Sequence, residues 1–165
     1  MIIYHGSNIA VEKPEIMQSV RLLDFGAGFY TTTNREQAVR WAERVSARSN
    51  TEMQVISKYE FDNISVEKEL TVLHFSEPNA EWLDFVCANR LGKIHSHSYD
   101  IVFGPVANDT VYSVVQLYET GIYDSNEAIR RLKVEKLYNQ ILFHTKKSLK
   151  FCKYISFEII EGDKS

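Results

Sequence analysis

Residues 53–61 alternate in side-chain character, with Val55, Ser57 and Tyr59 on one side and Ile56, Lys58 and Glu60 on the other, which predicts a β-strand. Shorter strand-like runs cover residues 1–5, which lead into a Gly6-Ser7-Asn8 turn, and residues 29–32, which follow the Gly26-Ala27-Gly28 turn. Beyond Thr33 or Asn34, either suited to cap a helix, the period changes. Ala38, Trp41, Ala42 and Val45 recur at helical spacing, and Arg35, Glu36, Arg40, Glu43 and Arg44 fall on the opposite side. Val66 and residues 70–73 read as a further strand or its approach. Asn79 starts a helix carrying Trp82, Leu83, Phe85, Val86 and Arg90. Residues 99–103 form a short apolar strand that stops at Gly104-Pro105. Val111, Val114, Val115 and Tyr118 share one stripe of a helix over residues 110–118, although β-branching weakens that pattern. Ser125 caps a helix ending at Leu132; a strand over 140–144, a short helix over 145–149 and a strand over 154–160 complete the order. Helices and strands mix without strict alternation, which predicts an α+β fold with a largely antiparallel sheet.

Composition narrows the picture. A chain of 165 residues buries roughly 70% of its unfolded surface, enough for a core without metals or disulfides. No repeat, low-complexity run or Pro/Gly-rich linker divides it, so residues 1–165 are expected to form a single domain. With 19 basic and 22 acidic residues, the net charge of −3 gives no electrostatic footprint for nucleic acid. Lys146, Lys147, Lys150 and Lys153 read as a solvated face. Cys87 and Cys152 sit among apolar neighbours without metal-ligand spacing, which points to buried, reduced thiols. No apolar run reaches the roughly 18 residues of a membrane span, and the first residues lack the pattern of a secretory leader, so a cytoplasmic protein is expected.

The candidate chemistry lies in three short motifs. Tyr4-His5-Gly6-Ser7 places a histidine at a strand end, where it can hydrogen-bond a sugar hydroxyl. Gly26-Ala27-Gly28-Phe29-Tyr30 allows close backbone approach to a flat ring and then offers an aromatic face. Leu137-Tyr138-Asn139-Gln140 opens a strand near the end of the chain. Together with Ala38-Val39-Arg40-Trp41, these segments resemble the ADP-ribosyltransferase superfamily, in its poly(ADP-ribose) polymerase and diphtheria-toxin branch. With the Gly104-Pro105-Val106-Ala107-Asn108-Asp109 stretch, the chain is similar to a bacterial family of unknown function (domain of unknown function 3990) placed in that clan.

The resemblance implies a split antiparallel sheet core with flanking helices and NAD as the ADP-ribose donor. It implies a catalytic set of His5, Tyr30 and Gln140, with Gln140 standing where that branch carries a glutamate. Donor binding would fall to Tyr4, His5, Gly6, Ser7, Gly28, Phe29, Tyr30, Trp41, Asn108 and Asp109. Tyr30 and Trp41 would sandwich nicotinamide, although spacing alone favours a core role for Trp41. The Gln140 departure makes chain elongation implausible and leaves mono-ADP-ribosyl transfer to an unknown acceptor as the expected activity. A catalytically silent module that binds NAD or ADP-ribose is the alternative. The resemblance also permits a toxin or regulator made beside a small neutralising protein partner.

Other residues carry weaker signals. His95 and His97 share a strand side but lack a third metal ligand, so no metal is expected. Asp109 reads equally as a helix cap. Asn89-Arg90 could meet a pyrophosphate, but an exposed cation complementing a helix C-terminus is the simpler expectation.

Overall fold

The computed structural model describes residues 1–17, 23–92, 97–107, 109–132 and 138–160. In chain order its elements are β1 (Ile2–Ser7), β2 (Phe29–Thr31), α1 (Arg35–Ser49), β3 (Gln54–Phe61), α2 (Asn63–Glu69), β4 (Val72–His74), α3 (Ala80–Arg90), β5 (Ile101–Pro105), α4 (Asp109–Glu119), α5 (Ser125–Leu132), β6 (Asn139–Phe143), a 3₁₀ turn (Ser148–Phe151) and β7 (Cys152–Ile160).

The fold is α+β, with two sheets and five α-helices among the described residues. One sheet has the order β1-β3-β7 and is antiparallel throughout. The other has the order β2-β6-β5-β4, antiparallel except for the parallel pairing of β4 with β5. The two-residue period of β5 and β6 divides the core. Ile101, Ile141 and Phe143 join Ile3, Phe29, Tyr59 and Phe61 in one apolar cluster, between the sheets. Val102 and Leu142 point the other way, into a cluster with Trp82, Leu83 and Val86 of α3, Val111 and Val115 of α4 and Ala128 and Leu132 of α5.

Helix α1 lies on the far face of β1 and β3. Gly6 sets how closely: a Cβ there would overlap the Ala38 carbonyl oxygen and stand 2.8 Å from Ala42 N. Gly6 and Ser7 therefore extend β1 instead of forming the expected turn. Their register is fixed by β3, with Gly6 opposite Ile56 and Ser7 opposite Val55.

Local chemistry accounts for most boundaries. Asn34 accepts from Gln37 N at 2.9 Å and caps α1, and Asn79 accepts from Trp82 N at 2.8 Å and caps α3. Val66 belongs to α2, not to a strand, because Asp62 accepts from the backbone N–H groups of Ile64 and Ser65 and starts a helix. Asp124, one residue before the expected cap, accepts from Glu127 N at 2.8 Å and caps α5. The short helix expected over 145–149 is the 3₁₀ turn at Ser148–Phe151.

Candidate functional site

The two sheets part beside β1. Tyr4 exchanges both backbone groups with Thr32, at 2.8 and 2.9 Å. Two residues further along, Gly6 and Tyr30 continue the same alignment, but there the His5 ring reaches Tyr30 instead: Nδ1 lies 2.7 Å from Tyr30 O. Strand groups repeat their direction every second residue, so the Gly6 N–H and C=O point toward this opening, as those of Tyr4 point toward Thr32.

A cavity of about 590 Å³ occupies the opening, within the roughly 300–1,000 Å³ usual for small-molecule sites. Its lining includes His5 and Gly6 from β1, Tyr30 from β2, Trp41, Arg44 and Arg48 from α1, Arg90 from α3, and Gln140 from β6. The chain thus brings five of the expected residues, His5, Gly6, Tyr30, Trp41 and Gln140, to one wall or another of a single cavity.

Each is held by identifiable contacts. A carbonyl only accepts, so His5 donates from Nδ1 to Tyr30 O, and burial lowers its pKa. The neutral ring therefore keeps Nε2 as an acceptor. Phe29 packs against the same ring, with centroids 4.5 Å apart. The Tyr30 hydroxyl donates to Gly26 O at 2.7 Å and accepts from Phe25 N at 3.1 Å. Burial, and then the charge of Asp24, raise its pKa well above the usual phenol value, so it stays a neutral donor. Trp41 is half-buried at the edge of the α1 apolar stripe, whose centre, Ala38 and Ala42, is fully buried. Trp41, Arg44 and Arg48 are three and four residues apart, so they share one side of α1. Gln140 is buried, and its Nε2 donates to Asp24 Oδ2 and to Pro105 O, both at 3.1 Å.

Four expected donor-binding residues lie elsewhere. Gly28 is buried against β6, where a Cβ would meet Phe143 O and the Leu142 side chain, so its glycine serves strand packing and not approach to a ligand ring. Phe29 is in the apolar cluster between the sheets. Tyr4 lines a separate surface groove with Arg35, Lys58 and Glu158. Ser7 is absent from the cavity lining, and its hydroxyl contacts Asn8 Oδ1. Asn108 lies outside the described residues; Asp109 begins α4, and its side chain is outside them too.

Sequence reasoning missed a polar cluster in the cavity lining. Asp24 Oδ1 accepts from Arg90 Nε at 2.8 Å and pairs with its Nη2 at the same distance, while Oδ2 accepts from Gln140 and, at 3.3 Å, from Ala107 N. Arg90 is not the exposed helix-end cation that was expected: its side chain is 15% exposed and its guanidinium lies over the Tyr112 ring at 4.6 Å. Its Nη1 is buried without a hydrogen-bond partner. The only signal was position, since Asp24 lies two residues before the glycine turn and Arg90 ends a helix. Asn139 also went unassigned. Its Oδ1 accepts from Thr32 Oγ1 and Thr33 N, each at 3.0 Å, and this ties β6 to the start of α1.

The loop bearing Asp24 is held from outside as well. The His97 and His144 rings pack with centroids 4.1 Å apart, tilted by 34°, and bond Phe25 O and Ala27 O, respectively. His95 lies outside the described residues; among those described, no cluster of three His, Cys, Asp or Glu is placed to hold a metal. Cys87 and Cys152 are free and buried, and burial pushes each thiol up to about 12, so neither is a ready nucleophile.

The sequence matches the family described as Protein of unknown function (DUF3990) over residues 1–154. The chain belongs to that family. No curated protein and no solved structure matches it. Among the described residues no helix is long and apolar enough to cross a membrane.

Proposed function

We propose that this chain is a member of the ADP-ribosyltransferase superfamily that cleaves NAD and transfers single ADP-ribose units to an acceptor. The observation that carries the reading is the convergence of His5, Gly6, Tyr30, Trp41 and Gln140, from four elements, on one cavity where the sheets part. The chemical fit is specific. NAD presents a cationic aromatic ring, a carboxamide, two riboses and a pyrophosphate. Tyr30 and Trp41 supply aromatic faces for the ring, and stacking of this kind is worth about 1–3 kcal/mol for a base. The outward N–H and C=O of Gly6 complement a carboxamide. His5 Nε2 accepts from a ribose hydroxyl. Arg44, Arg48 and Arg90 line the same cavity and suit a pyrophosphate.

The reaction needs mainly positioning and charge stabilisation. The C1′–N bond breaks with its electron pair leaving on nicotinamide, which becomes neutral, and C1′ acquires cationic character. Gln140, as an amide, hydrogen-bonds the nicotinamide ribose and does not offset that charge. This same neutrality favours the second reading, a silent module that binds NAD or ADP-ribose. Incubating the protein with labelled NAD, alone and with fractionated lysate, tests both. Nicotinamide release with label on a protein, nucleic-acid or small-molecule fraction is expected. Binding of NAD without release would establish the silent module, and failure to bind would refute both.

A further inference from the structure

The proposed chemistry develops positive charge on the ribose, and Gln140 has none to offset it. Among the described residues lining the cavity, Asp24 is the one carboxylate. It sits a single hydrogen bond from Gln140, 3.1 Å from Nε2 to Oδ2. We propose that Asp24 is the catalytic carboxylate of this site, facing the nicotinamide ribose from the loop before β2, with Gln140 as the residue that positions it. This rests on the donor-cleaving reading above.

Three observations converge on that role. First, the carboxylate is 12% exposed, so its charge acts through little water, where an electrostatic interaction is stronger than in bulk. Second, every donor around it fixes its orientation: Arg90 on Oδ1, Gln140 and the Ala107 N–H on Oδ2. Gln140 is fixed in turn by Pro105 O. A glutamine there therefore does what a second carboxylate could not, since two anions at this separation would repel and one would take up a proton. Third, the counter-charge has somewhere else to go. Arg90 lines the cavity, has a buried Nη1 without a partner, and rests on the Tyr112 ring, so a pyrophosphate in the cavity can engage the guanidinium. Donor binding would then divide the Arg90 charge between the phosphates and Asp24 and leave more of the Asp24 charge to the ribose, with Gln140 and the Ala107 N–H still holding Oδ2.

The step balances without a further reactant. The glycosidic pair leaves on nicotinamide, the acceptor's oxygen or nitrogen donates a pair to C1′, and the acceptor's proton passes to water. Asp24 stays ionised throughout and stabilises the cationic sugar.

The test is Asp24→Asn, assayed as nicotinamide release from NAD with water as acceptor, alongside NAD affinity by calorimetry and a melting curve. Loss of a preorganised charge partner lowers kcat by about 10²-fold or more, while Kd for NAD is expected to change less than about threefold, because the ring, ribose and phosphate contacts remain. A merely structural Asp24 would move stability or KM and spare kcat. The paired change Asp24→Asn/Arg90→Gln removes both charges together and leaves no lone buried ion, so it serves if the single variant does not fold; the same loss of kcat is expected. Near-wild-type kcat in either folded variant, or a raised KM with kcat intact, would overturn the role of Asp24 while leaving donor cleavage standing. A wild-type protein that binds NAD and releases no nicotinamide would instead remove the donor-cleaving reading, and the catalytic role of Asp24 with it.

Discussion

Gly6→Ala should damage both stability and the cavity, because the missing Cβ is what brings α1 against β1. The new carbon would overlap Ala38 O and stand 2.8 Å from Ala42 N and 2.9 Å from Ala38 C. All three are backbone atoms of a helix, so no side chain can swing aside and the whole helix must shift. Overpacking typically costs about 1–3 kcal/mol, and a rigid obstacle places this substitution at the top of that range, near 3 kcal/mol. For a chain of this size each kcal/mol lowers Tm by about 2–4 °C, so a fall of about 6–12 °C is expected. Gly121→Ala is the internal control: Gly121 has φ of +75° but nothing within 4 Å of its Cβ position, so only backbone strain of about 1–2 kcal/mol applies. Thermal unfolding of the two variants, followed by circular dichroism, separates the contributions. A shift in α1 also carries Trp41 away from Tyr30, so NAD affinity should fall in Gly6→Ala and not in Gly121→Ala. Equal Tm losses in the two variants would refute the steric account of Gly6.

Tyr30→Phe keeps the ring and strands the Gly26 carbonyl and Phe25 N–H, at a cost of about 2 kcal/mol in urea unfolding; an unchanged midpoint would mean the hydroxyl does not hold the loop. Gln140→Glu in otherwise unaltered protein places a second carboxylate beside Asp24 and against Pro105 O. One of the two acids must then hold a proton in the folded state at a pH where it is ionised on unfolding, so relative to the native protein this variant should lose stability as pH rises from about 5 to about 8, and a constant difference between the two proteins across that range would contradict the geometry. Acid should destabilise the native protein in two stages. Burial lowers the pKa of His5 and of His97, so as pH falls below about 6.5 the unfolded chain takes up protons that the folded one resists and stability declines. Burial alone would raise Asp100, but Lys147, Thr71 and Thr145 hold it at about 2, so its contribution is present above about pH 4 and lost between there and about pH 2. Urea midpoints across pH measure both stages, and Asp100→Asn should remove only the lower one.

What the sequence determined by itself is mostly local. Asn34 and Asn79 cap their helices as their positions predict, because a cap is a contact between a side chain and backbone N–H groups two or three residues on. The alternation of residues 53–61 became β3, since one period of two suffices to define a strand. Where local signals competed, as with Asp62 against the apolar Val66, the cap prevailed. His5, Tyr30 and Gln140 were legible as candidates through resemblance, and the structure places all three at one cavity. Tertiary structure alone decided the rest. Gly6 reads in the sequence as a turn, yet its glycine is required by a helix more than thirty residues away in the chain. Gly28 and Phe29 look like ligand contacts beside Tyr30, yet strand alternation and β6 bury them. Asp24 and Arg90 carry no motif. Their pairing arises because the chain folds back across a separation of 66 residues and brings a loop carboxylate to a helix end, and long-range ion pairs of this kind leave no periodic trace in a sequence.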